Sequence, residues 1–373
     1  MARPLYVERR ARVAKISRAG DRGHIRPRPR VPSAESREPI PDYRVLMLPP
    51  GLSMLWEDVD PLAALRERFG FADAEDAADW VRRMLATHWE VDVADCVRVV
   101  LSDRNVIAWL QSSAGPLVVK WSCDVPRFPA LEASTELLSE LDRKGVPVAA
   151  PLPSQDARVR RELAGPLGPL SLAVLPEVDG HWLDVDDLAA VRDAGAALAR
   201  VHAALRSCTG RLPAPTAGAT AQEEPADRIR RWLAQSDRGA VPEASQRLAH
   251  LLEQAPALTA EPQLVHHDFR SANILVRDSA VVAVLDLDEA EPAHRVDDLA
   301  RASVYLATRF RDWGPTPAPA REALRAGYEA ALASDGAAPL SEAESAWAEI
   351  LTLWYGLAAV RSGPRREEWA ATL

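Results

Sequence analysis

Residues 264–290 constrain the fold most, because they join a polar loop to two short runs rich in β-branched residues. The runs Asn273–Val276 and Val281–Leu285 stand on either side of a short polar turn, which predicts an antiparallel hairpin. The loop before the hairpin contains Asp268, and the residue after it is Asp286. Since a hairpin returns the chain to the end at which it began, the two carboxylates are predicted to lie close together.

Three polar side chains of this segment, Asp268, Asn273 and Asp286, suit phosphoryl transfer from a nucleotide. That reaction has a loose transition state, so the protein mainly positions the reacting groups and neutralises their charge. It needs a carboxylate that accepts the proton of the attacking hydroxyl, and oxygen ligands for Mg²⁺. We predict Asp268 as the catalytic base and Asn273 and Asp286 as magnesium ligands. The alternative is that Asp268 and Asn273 only form turns.

The composition gives weight to the few lysines and asparagines. Of 45 lysine and arginine residues, only Lys15, Lys120 and Lys144 are lysine, and asparagine occurs only at Asn105 and Asn273. Alanine, arginine and proline dominate, as is typical of GC-rich coding, which disfavours lysine and asparagine. The lysines and asparagines that remain are therefore candidates for chemical roles, with chance survival as the alternative.

The order of predicted elements indicates an α+β chain with two lobes. Three β-branched runs, Cys96–Leu101, Val106–Gln111 and Leu117–Trp121, predict an antiparallel meander. A helix at 129–144 and two further strands that end at Val178 follow, and the rest of the chain is mainly helical. A cleft between two such lobes is a common place for a ligand site.

This pattern divides the chain into four predicted parts. They are a basic Pro/Arg-rich arm at 1–42, a helical extension at 43–95, a small sheet lobe at 96–180 and a larger helical lobe at 181–373. Asp60 and Asp73 are predicted N-caps of the two helices in the extension.

Charge separates the arm from the remainder of the chain. Residues 1–40 carry a net charge of +7 and the other residues −16, which gives −9 overall. The arm is expected to be a solvated tail, to fold back on the acidic body or to bind a partner protein. It contains no recognised nucleic-acid motif and no interleaved aromatic residues, so no nucleic-acid partner is expected.

Cysteine usage and hydropathy suggest the compartment. The three cysteines, Cys96, Cys123 and Cys208, lack metal-ligand spacing, so we expect neither structural disulfides nor a zinc site. No apolar run approaches the roughly 20 residues that span a bilayer, and the N-terminus lacks the apolar stretch of a secretory signal. We therefore expect a cytoplasmic protein without a membrane partner.

The motifs His266-x-Asp268-x4-Asn273, Val284-Leu-Asp286-Leu-Asp-Glu-Ala290 and Asp298-Leu-Ala300 together resemble the aminoglycoside phosphotransferase and choline kinase family. The resemblance covers about 96–360. It implies a bilobal protein-kinase-like fold, with a small antiparallel-sheet N-lobe and a larger helical C-lobe. It also implies ATP, or GTP, and Mg²⁺ as cofactors and a hydroxyl group as the acceptor.

The resemblance implies further roles in the helical lobe. Asp298 would be a buried anchor of the catalytic loop, and His266 a packing residue of that loop. Arg270 would be a cation that stabilises the transferring phosphoryl group, since its charge is fixed and its donors are forked. Asp288 is a candidate second metal ligand, with a substrate-facing or solvated carboxylate as the alternative.

The resemblance also implies a nucleotide site in the sheet lobe. Lys120 ends the third strand, where the family keeps the lysine that holds the α- and β-phosphates. Its expected ion-pair partner is Glu132 on the next helix, with Glu136 as the second choice. The hinge that meets the nucleotide base would include Glu177 and Val178.

The first hairpin turn, Ser102-Asp-Arg-Asn105, departs from a glycine-rich phosphate loop because it has no glycine. Asn105 matches the asparagine common at this turn in the family. We expect Asn105 and Ser102, or nearby backbone N–H groups, to reach the phosphates.

Three functions are compatible with these features. The first is phosphorylation of a small molecule such as an antibiotic, an amino alcohol or a sugar, with a role in antibiotic resistance or biosynthesis. The acidic body would attract a cationic acceptor of this kind. The second is a peptide Ser/Thr kinase for a ribosomally made peptide, in which the extension binds a leader peptide or a partner enzyme. The third, a pseudokinase scaffold, is disfavoured because Lys120, Asp268, Asn273 and Asp286 are all retained.

Overall fold

The computed structural model describes residues 51–208, 223–235 and 241–373. The predicted basic arm at 1–42 lies outside the described residues. The described chain has a sheet-rich N-lobe and a helical C-lobe, so the predicted α+β bilobal fold is confirmed. Across these ranges, every helix is too short or too polar to cross a membrane.

The N-lobe is built on one six-stranded sheet with the strand order β1-β2-β3-β4-β6-β5. Its strands are β1 Gly51–Met54, β2 Val93–Ser102, β3 Asn105–Ser112, β4 Gly115–Ser122, β5 Arg160–Gly165 and β6 Gly168–Pro176. The pairs from β2 onward are antiparallel, as the predicted meander requires. The parallel pairing of β1 with β2 was not predicted, because four residues give too little pattern.

Two helices of the extension cover one face of this sheet. They are α1 Pro61–Phe69 and α2 Ala74–Trp89, capped by Asp60 and Asp73 as predicted. Trp80 on α2 lies 5.7 Å from Phe71 and 5.9 Å from Trp121 between ring centroids. The extension therefore shares one hydrophobic core with the sheet.

Successive side chains of β4 alternate between the two faces of the sheet, which have different surroundings. Leu117, Val119 and Trp121 are buried against the extension. Since successive side chains of a strand point to opposite faces, Lys120 projects toward the other side. Helix α3, Phe128–Arg143, follows β4 and confirms the predicted helix at 129–144 to within one residue at each end.

The C-lobe consists of seven helices and two small sheets within the described residues. The helices are α4 Leu188–Arg206, α5 Pro225–Gln235, α6 Pro242–Glu253, α7 Arg295–Tyr305, α8 Ala318–Ser334, α9 Glu342–Ser362 and α10 Arg366–Ala370. The strands are β7 His181–Trp182, β8 Gln263–Val265, β9 Ile274–Arg277, β10 Ala280–Val284 and β11 Glu291–Ala293. The predicted hairpin is confirmed as β9–β10. The two-residue β7 and three-residue β8 and β11 were not predicted.

Helices α4 and α8 approach closely through two glycines. A Cβ atom on Gly195 would lie 1.9 Å from the carbonyl oxygen of Leu324, and one on Gly327 would lie 1.8 Å from that of Arg192. Both contacts are with backbone, which cannot move aside as a side chain can. The spacing of the two helices therefore depends on the missing side chains.

Gly195→Ala is expected to destabilise the protein, although alanine favours a helix by about 1 kcal/mol over glycine. The added methyl group would force α4 and α8 apart, and such overpacking typically costs about 1–3 kcal/mol. Chemical denaturation measures the change in the free energy of unfolding. Gly356→Ala on α9 is the matched control, because its nearest contact is the flexible side chain of Leu373 at 2.6 Å. Equal stability of the two variants would contradict this account of the crossing.

Candidate active site

The candidate site lies where two loops of the C-lobe meet the open face of the N-lobe sheet. The first loop, residues 266–273, joins β8 to β9, and the second, residues 285–290, joins β10 to β11. The Val284 N–H donates to the carbonyl oxygen of Pro147 at 2.8 Å, which ties the second loop to the chain after α3.

Asp298 on α7 holds the first loop from beneath. Its side chain is fully buried and accepts three hydrogen bonds: from His266 N at 3.0 Å, His267 N at 3.0 Å and His202 Nε2 at 2.9 Å. Burial acts to raise the pKa of Asp298, but the His202 hydrogen bond and the nearby histidines outweigh it and hold the pKa at about 2. The Tyr328 hydroxyl lies 2.8 Å from the other ring nitrogen of His202, so α8 also supports the loop.

His266 is buried and links the two loops. Its Nδ1 accepts a hydrogen bond from Asp268 N at 3.2 Å, and its Nε2 lies 3.0 Å from the carbonyl oxygen of Leu285. These partners require the proton on Nε2, because a carbonyl oxygen can only accept. The imidazole therefore fixes the backbone at Asp268, in keeping with the packing role expected for His266.

The structure brings Asp268, Arg270 and Asn273 together. Arg270 Nε lies 3.0 and 3.1 Å from the two carboxylate oxygens of Asp268. Asn273 Nδ2 donates to Asp268 Oδ2 at 2.8 Å and to its backbone oxygen at 2.9 Å. Because the amide nitrogen of Asn273 faces Asp268, its Oδ1 is left for another ligand. Arg270 also lies over the ring of Trp313, 5.7 Å from the centroid.

Asp286 faces the lysine of the N-lobe from the second loop. Lys120 Nζ lies 3.1 Å from Asp286 Oδ1, so the two predicted site residues meet across the cleft. Burial raises the pKa of the Asp286 carboxyl, with Lys120 opposing and Asp288 and Asp268 adding to the rise. Asp286 has φ 65°, a left-handed conformation that marks a sharp change of direction after β10.

The donor atoms fit a magnesium ion. Asp286 Oδ2 and Asn273 Oδ1 have no hydrogen-bond donor among the described residues and are the hard oxygen ligands that Mg²⁺ prefers. Within the described ranges, no group of three or more His, Cys, Asp or Glu side chains forms a complete metal cage. Mg²⁺ does not need one, since it usually keeps waters and substrate phosphates as ligands.

Asp288 contacts three residues of the N-lobe. Its Oδ2 lies 3.3 Å from Lys120 Nζ, its Oδ1 accepts from Ser134 Oγ at 2.8 Å, and its backbone oxygen accepts from Arg127 Nη2 at 2.8 Å. Burial opposes ionisation, but Lys120, Arg160 and Ser134 keep the pKa of Asp288 well below its usual range. Both carboxylate oxygens are engaged, so a second metal ligand at this position stays a prediction.

The prediction of an ion pair between Lys120 and Glu132 is wrong. Glu132 instead pairs with Arg158 at 2.9 Å, and the second choice, Glu136, is exposed. Glu132 and Glu136 are four residues apart and share one face of α3. Ser134 is two residues from each and therefore lies on the opposite face. The side of α3 that meets Asp288 therefore presents a serine, and the carboxylate beside Lys120 comes from the C-lobe.

The remaining predicted positions are Ser102 and Asn105 at the β2–β3 turn and Glu177 and Val178 directly after β6. Ser102 is buried with its Oγ 3.5 Å from the carbonyl oxygen of Asn105, across a two-residue turn. Glu177 is exposed and its N–H donates to the carbonyl oxygen of Pro116 at 3.0 Å, while Val178 packs against the C-lobe core. None of these contacts tests nucleotide binding, so the four assignments stay predictions.

Sequence reasoning missed several residues that organise the site: Arg127, Ser134, Arg160, His202 and Tyr328. A signal existed only for His202, which interrupts the apolar stripe of its helix. Arg160 is a buried arginine whose Nε donates to Ser171 Oγ at 2.7 Å. Its burial could not be predicted, because the strand around it is short and rich in polar residues.

The fold and the site define a kinase-like phosphotransferase. Residues 97–342, more than half of the chain, match the model of the phosphotransferase enzyme family described as APH. The chain therefore belongs to this family, and it is an enzyme that transfers phosphate to a hydroxyl group. No curated protein matches the sequence.

Solved structures share the fold at low identity. An aminopropanol kinase associated with a microcompartment has a TM-score of 0.54 and 18% identity, over 79% of this chain and 92% of that one. An amicoumacin kinase, solved with AMP-PNP and Ca²⁺, has a TM-score of 0.50 and 17% identity, over 75% and 83%. A macrolide 2'-phosphotransferase from Brachybacterium faecium has a TM-score of 0.50 and 20% identity, over 79% and 97%.

Substitution of Asp288 is expected to weaken nucleotide binding more than substitution of Glu132. Asp288→Asn removes a carboxylate that holds Lys120, and Ser134→Ala removes the hydroxyl that holds Asp288. Charge-assisted contacts of this kind suggest a rise in the Kd for Mg-AMP-PNP of about 10-fold for Asp288→Asn and about 3-fold for Ser134→Ala. Glu132→Gln should leave the Kd unchanged within about 2-fold, because exposed ion pairs contribute little. Calorimetric titration measures all three.

Ser134→Ala leaves Asn273 and Asp286 in place, so its effect separates lysine positioning from metal binding by these two residues. Equal weakening by Glu132→Gln would contradict the assignment of Asp288 as the partner of Lys120.

Proposed function

We propose that the protein transfers the γ-phosphoryl group of ATP, with Mg²⁺, to a hydroxyl of a small molecule that also carries an amino group. Aminoglycosides, related antibiotics and amino alcohols are such molecules. The observation that carries the proposal is the convergence of Lys120, Asp268, Asn273 and Asp286 in one cleft, at hydrogen-bond distance from one another in pairs.

The residues divide the chemistry among them. Lys120 would hold the phosphates through its ammonium group, and Asn273 and Asp286 would hold the metal by oxygen. Bound Mg²⁺ would neutralise charge on the phosphates. Asp268 would orient the acceptor hydroxyl and take its proton as the phosphoryl group arrives.

Arg270 would act between base and phosphate. Its Nε is bound to Asp268, so an acceptor hydroxyl that approaches Asp268 also approaches the guanidinium. Its remaining N–H groups could bind the transferring phosphoryl group, as forked donors suit phosphate oxygens. This geometry supports the role expected for Arg270 in catalysis.

Carboxylates beside the base support an acceptor with an amino group. Glu289 and Glu291 follow the metal-binding loop, and their side chains are 56% and 47% exposed. Together with Asp268, they give this side of the cleft a concentration of negative charge that attracts cations. The aminopropanol kinase among the structural neighbours is named for an amino alcohol, a molecule with both groups.

Asp268→Asn is expected to remove phosphoryl transfer while nucleotide still binds. Loss of a general base typically lowers the rate about 10²–10⁴-fold. Turnover is measured as ADP release with an aminoglycoside and amino-alcohol panel, and nucleotide binding by calorimetry with Mg-AMP-PNP. Asp278→Asn is the matched control, because Asp278 is exposed in the β9–β10 turn and asparagine tolerates its left-handed backbone.

Unchanged turnover in the Asp268→Asn variant would contradict the assignment of the base. Wild-type protein that binds no Mg-nucleotide and phosphorylates no member of the panel would contradict the proposed function as a whole.

A further inference from the structure

Arg301 is a half-buried arginine on α7 whose charge is not paired. Its guanidinium carbon lies 5.8 Å from the ring centroids of both Tyr305 and Tyr355. Within the ranges that the structure describes, Arg301 has these ring contacts and longer-range electrostatic interactions with nearby acids, but no ion pair or hydrogen bond at contact distance. A guanidinium that has no hydrogen-bonded acceptor can form a charge-assisted hydrogen bond with a ligand that supplies one.

The acids around Arg301 already have other partners. Asp298 is occupied by three N–H donors, and Asp268 by Arg270 and Asn273, as described above. Asp297 accepts from Arg228 Nη2 at 2.6 Å and from the Tyr355 hydroxyl at 2.7 Å. Glu291 lies 3.1 Å from His267 Nδ1. Each of these carboxylates has a closer partner than Arg301, which acts on Glu291, Asp268 and Asp298 only over a longer distance.

The two tyrosines hold Arg301 in a way that keeps its donors available. Both phenol hydroxyls are engaged, since Tyr305 donates to the backbone oxygen of Tyr355 at 3.2 Å and Tyr355 to Asp297. Within the described residues, neither phenol oxygen forms a hydrogen bond with the guanidinium, so the tyrosines contact Arg301 through their rings. A cation–π contact engages the face of the guanidinium plane and leaves its N–H edge for hydrogen bonds.

The position of Arg301 relates it to the catalytic base. Arg301 follows Asp298 by three residues, so the two side chains share one face of α7. Asp298 binds the backbone of His266 and His267, directly before Asp268. Burial acts to lower the pKa of Arg301, but Tyr355, Asp268 and Tyr305 outweigh it and raise the pKa above its usual value. Arg301 is therefore permanently charged and within electrostatic reach of Asp268.

We propose that Arg301 binds a carboxylate of the acceptor, so that the substrate is a hydroxy amino acid. This inference rests on the proposed function, because it concerns the acceptor of the same reaction. The forked N–H groups of arginine match a planar carboxylate in a bidentate pair. One guanidinium without a contact carboxylate suits a monoanion better than a doubly charged phosphate. The half-exposed Glu291 is placed to meet an amino group on the same molecule.

The test compares matched acceptors that differ only in this charge: L-serine with L-serinamide, L-threonine with L-threoninamide, and both with ethanolamine. ADP release at saturating Mg-ATP gives kcat and KM for each acceptor. We expect wild-type protein to prefer the acids, and Arg301→Gln to lower kcat/KM for the acids about 10- to 100-fold, mainly through KM. The amides should change by less than about 3-fold, and Arg301→Lys should recover part of the loss. Arg325→Gln is the control, since Arg325 pairs with Glu329 on the exposed side of α8.

Two results would overturn the inference while the phosphotransferase function stands. One is wild-type turnover of the amides or ethanolamine in preference to the acids, and the other is an equal loss for acids and amides in Arg301→Gln. Equal losses would indicate that Arg301 only balances charge around the loop. If wild-type protein turns over no acceptor and binds no Mg-AMP-PNP, the proposed function fails, and this inference fails with it.

Discussion

The buried carboxylate of Asp298 is the interaction on which the candidate site depends. An ionised group with no exposure to water is tolerated only when its oxygens are satisfied, and here two backbone N–H groups of the loop 266–273 and one imidazole do so. The requirement acts in both directions, because the loop supplies donors that the carboxylate needs, and the carboxylate fixes the loop. His202 brings α4 into this network and Tyr328 brings α8, so the close crossing of those helices at Gly195 has consequences at Asp268.

The second constraint joins the lobes. Lys120 is held by two aspartates of the C-lobe, and one of them, Asp288, is in turn held by Ser134 and Arg127 of the N-lobe. A glutamate on α3 would have kept the lysine within its own lobe. With Asp288 in that place, the position of the lysine depends on a contact between the two lobes. Phosphates that bind Lys120 would take over the charge that Asp286 now neutralises.

The parts of the structure that could be predicted are those that local sequence determines. Asp60 and Asp73 start their helices through contacts three residues away, and the β9–β10 hairpin follows from two β-branched runs and a turn. Asp268, Asn273 and Asp286 meet because that hairpin brings them together. The partner of Lys120 could not be predicted in the same way, because it depends on which face α3 turns toward the cleft. Arg301 was missed for a related reason, since an unpaired charge is recognised only when all its neighbours are known.

The extension forms part of the hydrophobic core of the N-lobe, although the family match begins at residue 97. Without α1 and α2, one face of the sheet would expose Trp121 and the apolar side chains next to it, and that face is opposite the one that carries Lys120. The extension also contacts both sides of the cleft. Arg68 pairs with Glu57 at 2.7 Å and reaches the carbonyl oxygen of Asp103 at the hairpin turn, while Arg311 of the C-lobe donates to the backbone oxygen of Glu57 at 3.1 Å. The extension is therefore bound both to the β2–β3 turn and to the C-lobe.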